Sequence, residues 1–205
     1  MMRLKSTARA LVAGASIVTS IGPSLAADAQ GRFAAKSYGL DSCSQFAKAW
    51  DKDESGQADL RDAHTAWVGG YLTGVNHHMG GTFDIASWRS TRYLTASIAA
   101  YCQSIPDQPV MSAAQAMIKR LSDDKLSTAM TSVAFGNGAA KVRLYDSIYN
   151  DMRAALVAGG YLKETAPKDD AETISKAIGQ FQMKQGIAAT GLPDEVTLYH
   201  LLGKS

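Results

Sequence analysis

The chain has 205 residues, of which 46% are hydrophobic and 20% are charged, a composition that is ordinary for a folded globular protein. Its length exceeds that of one typical domain and suits two small ones. The net charge of +2, without a basic block interleaved with aromatic residues, excludes nucleic acid as the expected partner.

The N-terminal stretch has the features of a secretory signal peptide. Arg3, Lys5 and Arg9 give it a positive start, the apolar run LVAGASIVTSIG follows, and small residues then occupy the cleavage positions. The apolar run is too short to span a membrane comfortably. The sequence therefore predicts a signal peptide over residues 1–27, a flexible lead-in over 28–36, and a periplasmic mature chain without a membrane span.

Four stretches of the following region carry apolar residues at helical spacing. They are SCSQFAKAW, RDAHTAWVGGYLTGVNHHM, residues 86–102, and VMSAAQAMIKRL. Ala66, Gly70 and Gly74 share one face of the second stretch. Because a glycine inside a helix costs about 1 kcal/mol relative to alanine, this face predicts the close approach of another helix.

The cysteines of the chain are Cys43 and Cys102, and both lie in the predicted mature part. In an oxidising compartment an even pair predicts one disulfide, which ties the first of these helices to the end of the third. A catalytic cysteine with a histidine partner is the competing and less favoured interpretation.

The order of these motifs resembles a group of exported helical proteins. A cysteine, the string WVGGYLTGVN, a Tyr-Cys-x-x-x-Pro segment and an alanine-rich helix follow one another as in the HdeA acid-stress chaperones and the related periplasmic immunity proteins of interbacterial secretion systems. The resemblance implies a disulfide-linked helical domain over 37–122. It also implies an alternative function, a periplasmic module that binds an envelope protein as a chaperone or as an inhibitor of a toxic effector.

The loop DKDESGQADLRD matches a calcium-binding template. Template positions 1, 3, 5, 6, 9 and 12 are occupied by Asp51, Asp53, Ser55, Gly56, Asp59 and Asp62. The favoured alternative is a solvated acidic loop whose last aspartates cap the next helix.

The histidines do not suggest a metal site either. His77 and His78 are adjacent and point about 100° apart on a helix, and His64 lies roughly 20 Å from His78 along it. They are expected at the surface or near a helix end, and no metal or cofactor is predicted.

The segment 123–138 is predicted to be a linker. Ser122 and Asp123 carry a capping signal for a short helix reaching Phe135, and Gly136-Asn137-Gly138 is the clearest break in the chain. A second domain is therefore expected over 139–205.

The string ISKAIGQFQMKQGIAATGLPDEVTLYHLL contains two helical patterns joined by a loop. Gly186 is expected to end the first helix and Gly191 to turn the chain. Pro193 then opens the second helix, whose first turn is capped by Asp194 and Thr197.

The end of this string resembles a known binding domain. FQMKQGIAATGLPDEVTLYHLL is similar to the second half of the peptidoglycan-binding domain found beside many cell-wall hydrolases, and LYDSIYNDMRAALVAGGYL is similar to its first helix. The family usually has a glycine-containing loop where this chain has KDDAETIS. The resemblance implies a three-helix domain with a ligand groove beside the loop from Gln182 to Asp194. The candidate ligand-binding residues are Gln182, Gly191, Asp194, Thr197 and Tyr161.

No catalytic constellation accompanies these motifs. A transpeptidase would need a His-Gly segment and a Ser-x-Gly-Cys nucleophile, and the sequence has neither. A glycosidase needs paired carboxylates in a groove, whereas Glu54 and Glu164 lie in polar segments. The sequence thus predicts an all-α, non-catalytic, exported protein that binds peptidoglycan through its C-terminal domain and presents its N-terminal domain at the wall.

Overall fold

The computed structural model describes residues 27, 28, 30, 32–51, 56–137 and 140–203. Within these ranges the chain is mostly helical, with seven α-helices, a 3-10 helix over Ser37–Leu40 and one two-stranded sheet. The α-helices are α1 Cys43–Lys48, α2 Ala58–His78, α3 Thr91–Cys102, α4 Val110–Leu121, α5 Asp146–Ala158, α6 Ala171–Gln185 and α7 Glu195–Leu202. The strands are β1 Ser132–Asn137 and β2 Ala140–Tyr145. The predicted signal peptide falls outside the described residues except at its last position.

The first hydrophobic core forms around the disulfide. Cys43 and Cys102 are bonded, with their Cα atoms 4.7 Å apart, so α1 is joined to the end of α3 as predicted. A capping box starts α1, in which Ser42 accepts a hydrogen bond from the backbone N–H of Gln45 and the Gln45 side chain accepts one from Ser42. The side chains buried around the bond come from all four helices and include Phe46, Val68, Leu94, Ile98 and Val110.

The glycines of α2 do not meet the expectation drawn from them. A Cβ built on Gly70 or on Gly74 would have no described atom within 4 Å, so no neighbouring helix packs closely on that face. Gly69 is instead the position that faces α3, where Thr91 Cγ2 would lie 3.4 Å from a Cβ. The prediction of a close helix contact at Gly70 and Gly74 is therefore wrong in the described part of the chain.

The start of α3 also differs from the prediction. The helix begins at Thr91 rather than at residue 86, because Ser87 has a φ of 52° and Ser90 caps the helix by accepting a hydrogen bond from the N–H of Tyr93. The residues before the cap leave the helical path, and Trp88 packs against a second hydrophobic core.

His64 is a core residue, not a surface histidine. It is 1% exposed and stacks on Phe46, with ring centroids 4.0 Å apart. Trp50 Nε1 donates a hydrogen bond to its Nδ1 at 3.3 Å. Burial lowers the pKa of His64 below its usual 6.5, and the Asp41 carboxylate opposes this lowering with a smaller effect. The imidazole is accordingly held neutral near pH 7.

This burial predicts a pH-dependent stability. Since the folded-state pKa of His64 is depressed, the unfolded chain binds a proton first as the pH falls. The free energy of unfolding should be fully retained above pH 6.5 and decline below it, by up to about 2 kcal/mol at pH 5. His64→Phe should flatten this decline relative to wild type in urea unfolding followed at each pH. Equal pH slopes for the two chains would contradict the assignment.

A β-hairpin replaces the predicted linker helix. Strands β1 and β2 pair antiparallel, with Val133 opposite Leu144 and Phe135 opposite Val142. Phe135 and Leu144 are buried, so alternate residues of both strands face the interior. The short helix expected to reach Phe135 is therefore wrong, and the fold is mostly helical rather than all-α.

The second core lies beneath this hairpin and between α5, α6 and α7. Its fully buried side chains include Met152, Leu156, Ile174, Ile178 and Leu198. The segment between α5 and α6 is fixed by hydrogen bonds from two buried side chains of α5. Tyr149 Oη donates to the Lys168 carbonyl at 2.6 Å, and the Arg153 guanidinium donates to the carbonyl of Ala166 at 2.7 Å.

The two cores are joined through the segment 79–90, which connects α2 to α3. The N–H groups of Phe83 and Asp84 donate to the Leu126 carbonyl, and the Leu126 N–H donates back to Asp84 at 2.9 Å. Tyr145 Oη donates to the Asp84 carboxylate at 3.0 Å. The described residues from Ala34 onward accordingly form one compact unit. No helix in the described ranges combines the length and the apolar character that crossing a bilayer requires.

Candidate functional site

The loop between α6 and α7 folds back along α6. Helix α6 ends at Gly186, whose φ of 69° reverses the chain, and the Ile187 N–H donates to the Gln182 carbonyl at 3.0 Å. Helix α7 begins after Asp194, whose carboxylate accepts a hydrogen bond from the Thr197 N–H at 2.9 Å. Both helix ends lie where the glycine and the capping residues predict them.

Gln182 holds this loop from the inside. Its side chain is fully buried, and its Oε1 accepts a hydrogen bond from the Gly191 N–H at 2.8 Å. Its Nε2 lies 2.7 Å from Thr197 Oγ1, 2.9 Å from Thr190 Oγ1 and 3.0 Å from the Leu192 carbonyl oxygen. One amide therefore joins α6, the loop and α7.

Asp194 extends the same network. Its carboxylate accepts hydrogen bonds from Thr197 Oγ1 at 2.7 Å and from Thr190 Oγ1 at 3.0 Å. Thr190 Oγ1 also accepts from the Leu192 N–H at 3.2 Å. With its polar groups paired in this way, the loop is fixed by side-chain hydrogen bonds instead of regular secondary structure.

Gly191 brings the loop against α6. Its φ is 66°, and a Cβ at this position would lie 2.5 Å from Ser175 Oγ. Ser175 Oγ donates to the Gly191 carbonyl at 3.0 Å. Only glycine permits both the left-handed backbone and this close approach.

An open groove lies between this loop and the exposed side of α6. It has a volume of about 470 Å³ and is lined by Ser175, Lys176, Gly179, Gln180, Met183, Ala189, Thr190 and Gly191. A Cβ on Gly179 would have no described atom within 4 Å, so the side of the groove that α6 forms has open space at its middle. A glycine inside a helix costs about 1 kcal/mol relative to alanine, and no packing within the described chain offsets this cost at Gly179.

The charge at the groove comes from one ion pair. Lys176 Nζ lies 2.6 Å from a Glu172 carboxylate oxygen, and both side chains are exposed, by 71% and 79%. The hydrogen bond that Lys176 donates to the Glu172 carboxylate raises the pKa of Lys176, which stays cationic at neutral pH. An exposed pair of this kind contributes little to stability, so Lys176 can exchange the Glu172 carboxylate for another anion.

The candidate residues divide into those that build the groove and one that lies elsewhere. Gln182 and Thr197 are fully buried, and Asp194 caps α7. Gly191 is buried in the side of the groove that the loop forms. Tyr161 is half-buried and packs edge-on against Phe181, with ring centroids 5.5 Å apart, outside the groove lining. The structure therefore brings four of the five residues together as support for the groove.

The surface of the groove comes mainly from residues that sequence reasoning did not select. Ser175, Lys176, Gly179, Gln180 and Met183 share one side of α6, at spacings of three and four residues. The available signal was Gly179, a glycine in the helix interior on the side opposite the apolar stripe.

The predicted calcium loop can be followed only in part. Asp53 and Ser55 lie outside the described residues. Asp62 forms an exposed ion pair with Arg92 at 3.2 Å, and Asp59 lies in the first turn of α2. Across the ranges that the structure describes, no three His, Cys, Asp or Glu side chains are grouped so that they could hold a metal ion.

Comparison of the chain with protein-family models, with curated proteins and with solved structures gives no match. The two resemblances therefore rest on the sequence motifs alone.

Proposed function

We propose that this chain is an exported, non-catalytic protein of the cell envelope that binds peptidoglycan through the groove between α6 and the loop 187–194. The observation that carries the proposal is the position of this groove. It lies beside the loop from Gln182 to Asp194, where the resemblance to peptidoglycan-binding domains predicts a ligand site.

The construction of the groove supports a binding role. The buried Gln182 amide fixes the loop before any ligand arrives, so little conformational entropy is lost on binding. The groove is open to solvent and not enclosed, so it suits a segment of a polymer better than a small molecule that must be buried on all sides.

The groove chemistry favours binding over turnover. Among the eight lining residues, Lys176 is the sole ionisable side chain. Hydrolysis of a glycosidic bond generally uses two carboxyl groups placed on either side of it. The lining supplies hydroxyl, amide, ammonium and apolar contacts, which are the groups of a recognition surface.

The proposed location is the periplasm. The Cys43–Cys102 disulfide is of the kind that persists in oxidising compartments and is rare in the cytosol. The positive and apolar N-terminal sequence supports export to such a compartment. In this setting the first core, with α1 to α4, is presented at the wall.

Filling the groove tests the proposal. Gly179→Leu places a branched side chain in the open middle of the groove and replaces a poor helix former with a good one. In co-sedimentation with purified sacculi, wild type should pellet saturably, and the variant should bind at least about tenfold more weakly, a loss of 1.4 kcal/mol. Urea unfolding should show that the variant is no less stable than wild type. Undiminished pelleting of a folded variant would exclude this groove.

A further inference from the structure

We infer that the groove takes the peptide stem of peptidoglycan and not its glycan strand, with a free carboxylate of the stem paired to Lys176. The inference deepens the proposed function and depends on it. It is drawn from the lining of the groove, from the open wall at Gly179 and from the exposed ion pair at Lys176.

The lining lacks the groups that hold sugars. A pyranose ring presents a face of C–H groups that packs well on a flat aromatic ring, and glycan sites commonly supply such rings. None of the eight lining residues is aromatic. Tyr161 is held against Phe181, and the exposed Tyr199 on α7 does not line the groove. A glycan strand would therefore find hydrogen bonds here but no stacking surface.

The lining suits an extended peptide instead. Ser175, Gly179 and Ala189 are small, so a peptide backbone can approach the helix closely at the open wall. Met183 is 65% exposed and flexible, and it offers an apolar contact to the methyl side chains of alanine residues. Gln180 offers an amide that can both donate to and accept from a peptide group.

The charge at the groove points to the same component. In intact peptidoglycan the carboxylates lie on the peptide stems, because the lactyl group of each muramic acid is bound as an amide. Lys176 Nζ contacts an exposed Glu172 carboxylate and can exchange it for a carboxylate of the ligand at little cost. One anion then replaces another on the same ammonium group.

Competition against sacculus binding tests the inference with the full mature chain. The competitors are a soluble stem tetrapeptide and glycan strands from which an amidase has removed the peptides. These strands keep a free lactyl carboxylate, so they control for charge alone. The tetrapeptide should displace the protein from sacculi, and the denuded strands should be at least tenfold less effective.

Two lysine variants complete the test. Lys176→Met should weaken binding to sacculi about tenfold and reduce its dependence on salt concentration. Lys184→Met, which removes an exposed lysine in the last turn of the same helix, should stay within twofold of wild type.

The outcomes separate the inference from the proposed function. Equal competition by denuded strands, or equal binding by Lys176→Met and wild type, would overturn the peptide-stem inference while sacculus binding stands. Failure of the wild-type chain to pellet with sacculi would overturn the proposed function and the inference together.

Discussion

Replacing both Cys43 and Cys102 with alanine is expected to lower the free energy of unfolding by about 4 kcal/mol. The bond joins residues 59 positions apart, and removing it releases the loop in the unfolded chain. Both side chains are fully buried in the first core, so alanine also leaves unfilled space there. Equilibrium urea unfolding of the double variant against wild type measures the loss.

A control separates the bond from the packing. Wild type unfolded in the presence of a thiol reductant should lose most of the same free energy, and the double variant should be unaffected by the reductant. A loss below about 1 kcal/mol in both cases would contradict a structural role for the bond.

Replacing Gln182 with leucine is expected to cost about 3 kcal/mol of unfolding free energy. The variant leaves the buried Gly191 N–H without its acceptor and removes the N–H donor to Thr197 Oγ1 and the Leu192 carbonyl. Gln182→Glu is a sharper version, because a carboxylate keeps the shape but cannot donate to Thr197 Oγ1 or to the Leu192 carbonyl. Both variants should also weaken sacculus binding, since they release the loop that forms one wall.

The matched control is Gln185→Leu, an exposed glutamine at the end of the same helix. Its unfolding free energy should remain within about 0.5 kcal/mol of wild type. Comparable losses for Gln182→Leu and Gln185→Leu would show that the buried amide does not hold the loop.

Local signals carry much of this fold. The end of α6 follows from Gly186 and the start of α7 from Asp194. A left-handed glycine cap and an aspartate N-cap both act within a single turn of helix. The disulfide follows from an even cysteine number in a chain expected to be exported. Such features depend on neighbours in sequence or on cysteine number, both of which can be read directly.

The hairpin has a local sequence signal of its own. Apolar residues alternate with a period of two before the glycines, at Val133 and Phe135, and again after them, at Val142 and Leu144. Such alternation on both sides of a Gly-Asn-Gly stretch is typical of two strands. The glycines taken alone favour a break in the chain. In the structure the two strands pair antiparallel and cover the second core.

The contacts across the fold could not be predicted in this way. Glu195 accepts hydrogen bonds from the backbone N–H and from the hydroxyl of Ser90, residues 105 positions apart in the chain. The burial of His64 likewise depends on Phe46 and Trp50 from outside its own helix. Helical periodicity gives the face of a helix but not the partner that covers it.

The residues that hold the loop follow from the sequence, whereas the residues that line the groove do not. Gln182, Asp194 and Thr197, which the resemblance selects, form the hydrogen bonds that fix the loop. The residues that can touch a ligand, such as Gly179 and Lys176, lie on the side of α6 away from its apolar stripe, where helical periodicity gives no sign of a groove. The motif residues thus support the groove from beneath, and other residues form its surface.

The most direct measurement is sacculus co-sedimentation of Gly179→Leu beside Gly70→Leu. Both glycines lie inside helices with open space at the Cβ position, so the two substitutions have the same effect on helix stability, and only one fills the groove. The account predicts that Gly70→Leu pellets like wild type and Gly179→Leu at least tenfold more weakly. Equal pelleting of the two variants would contradict it.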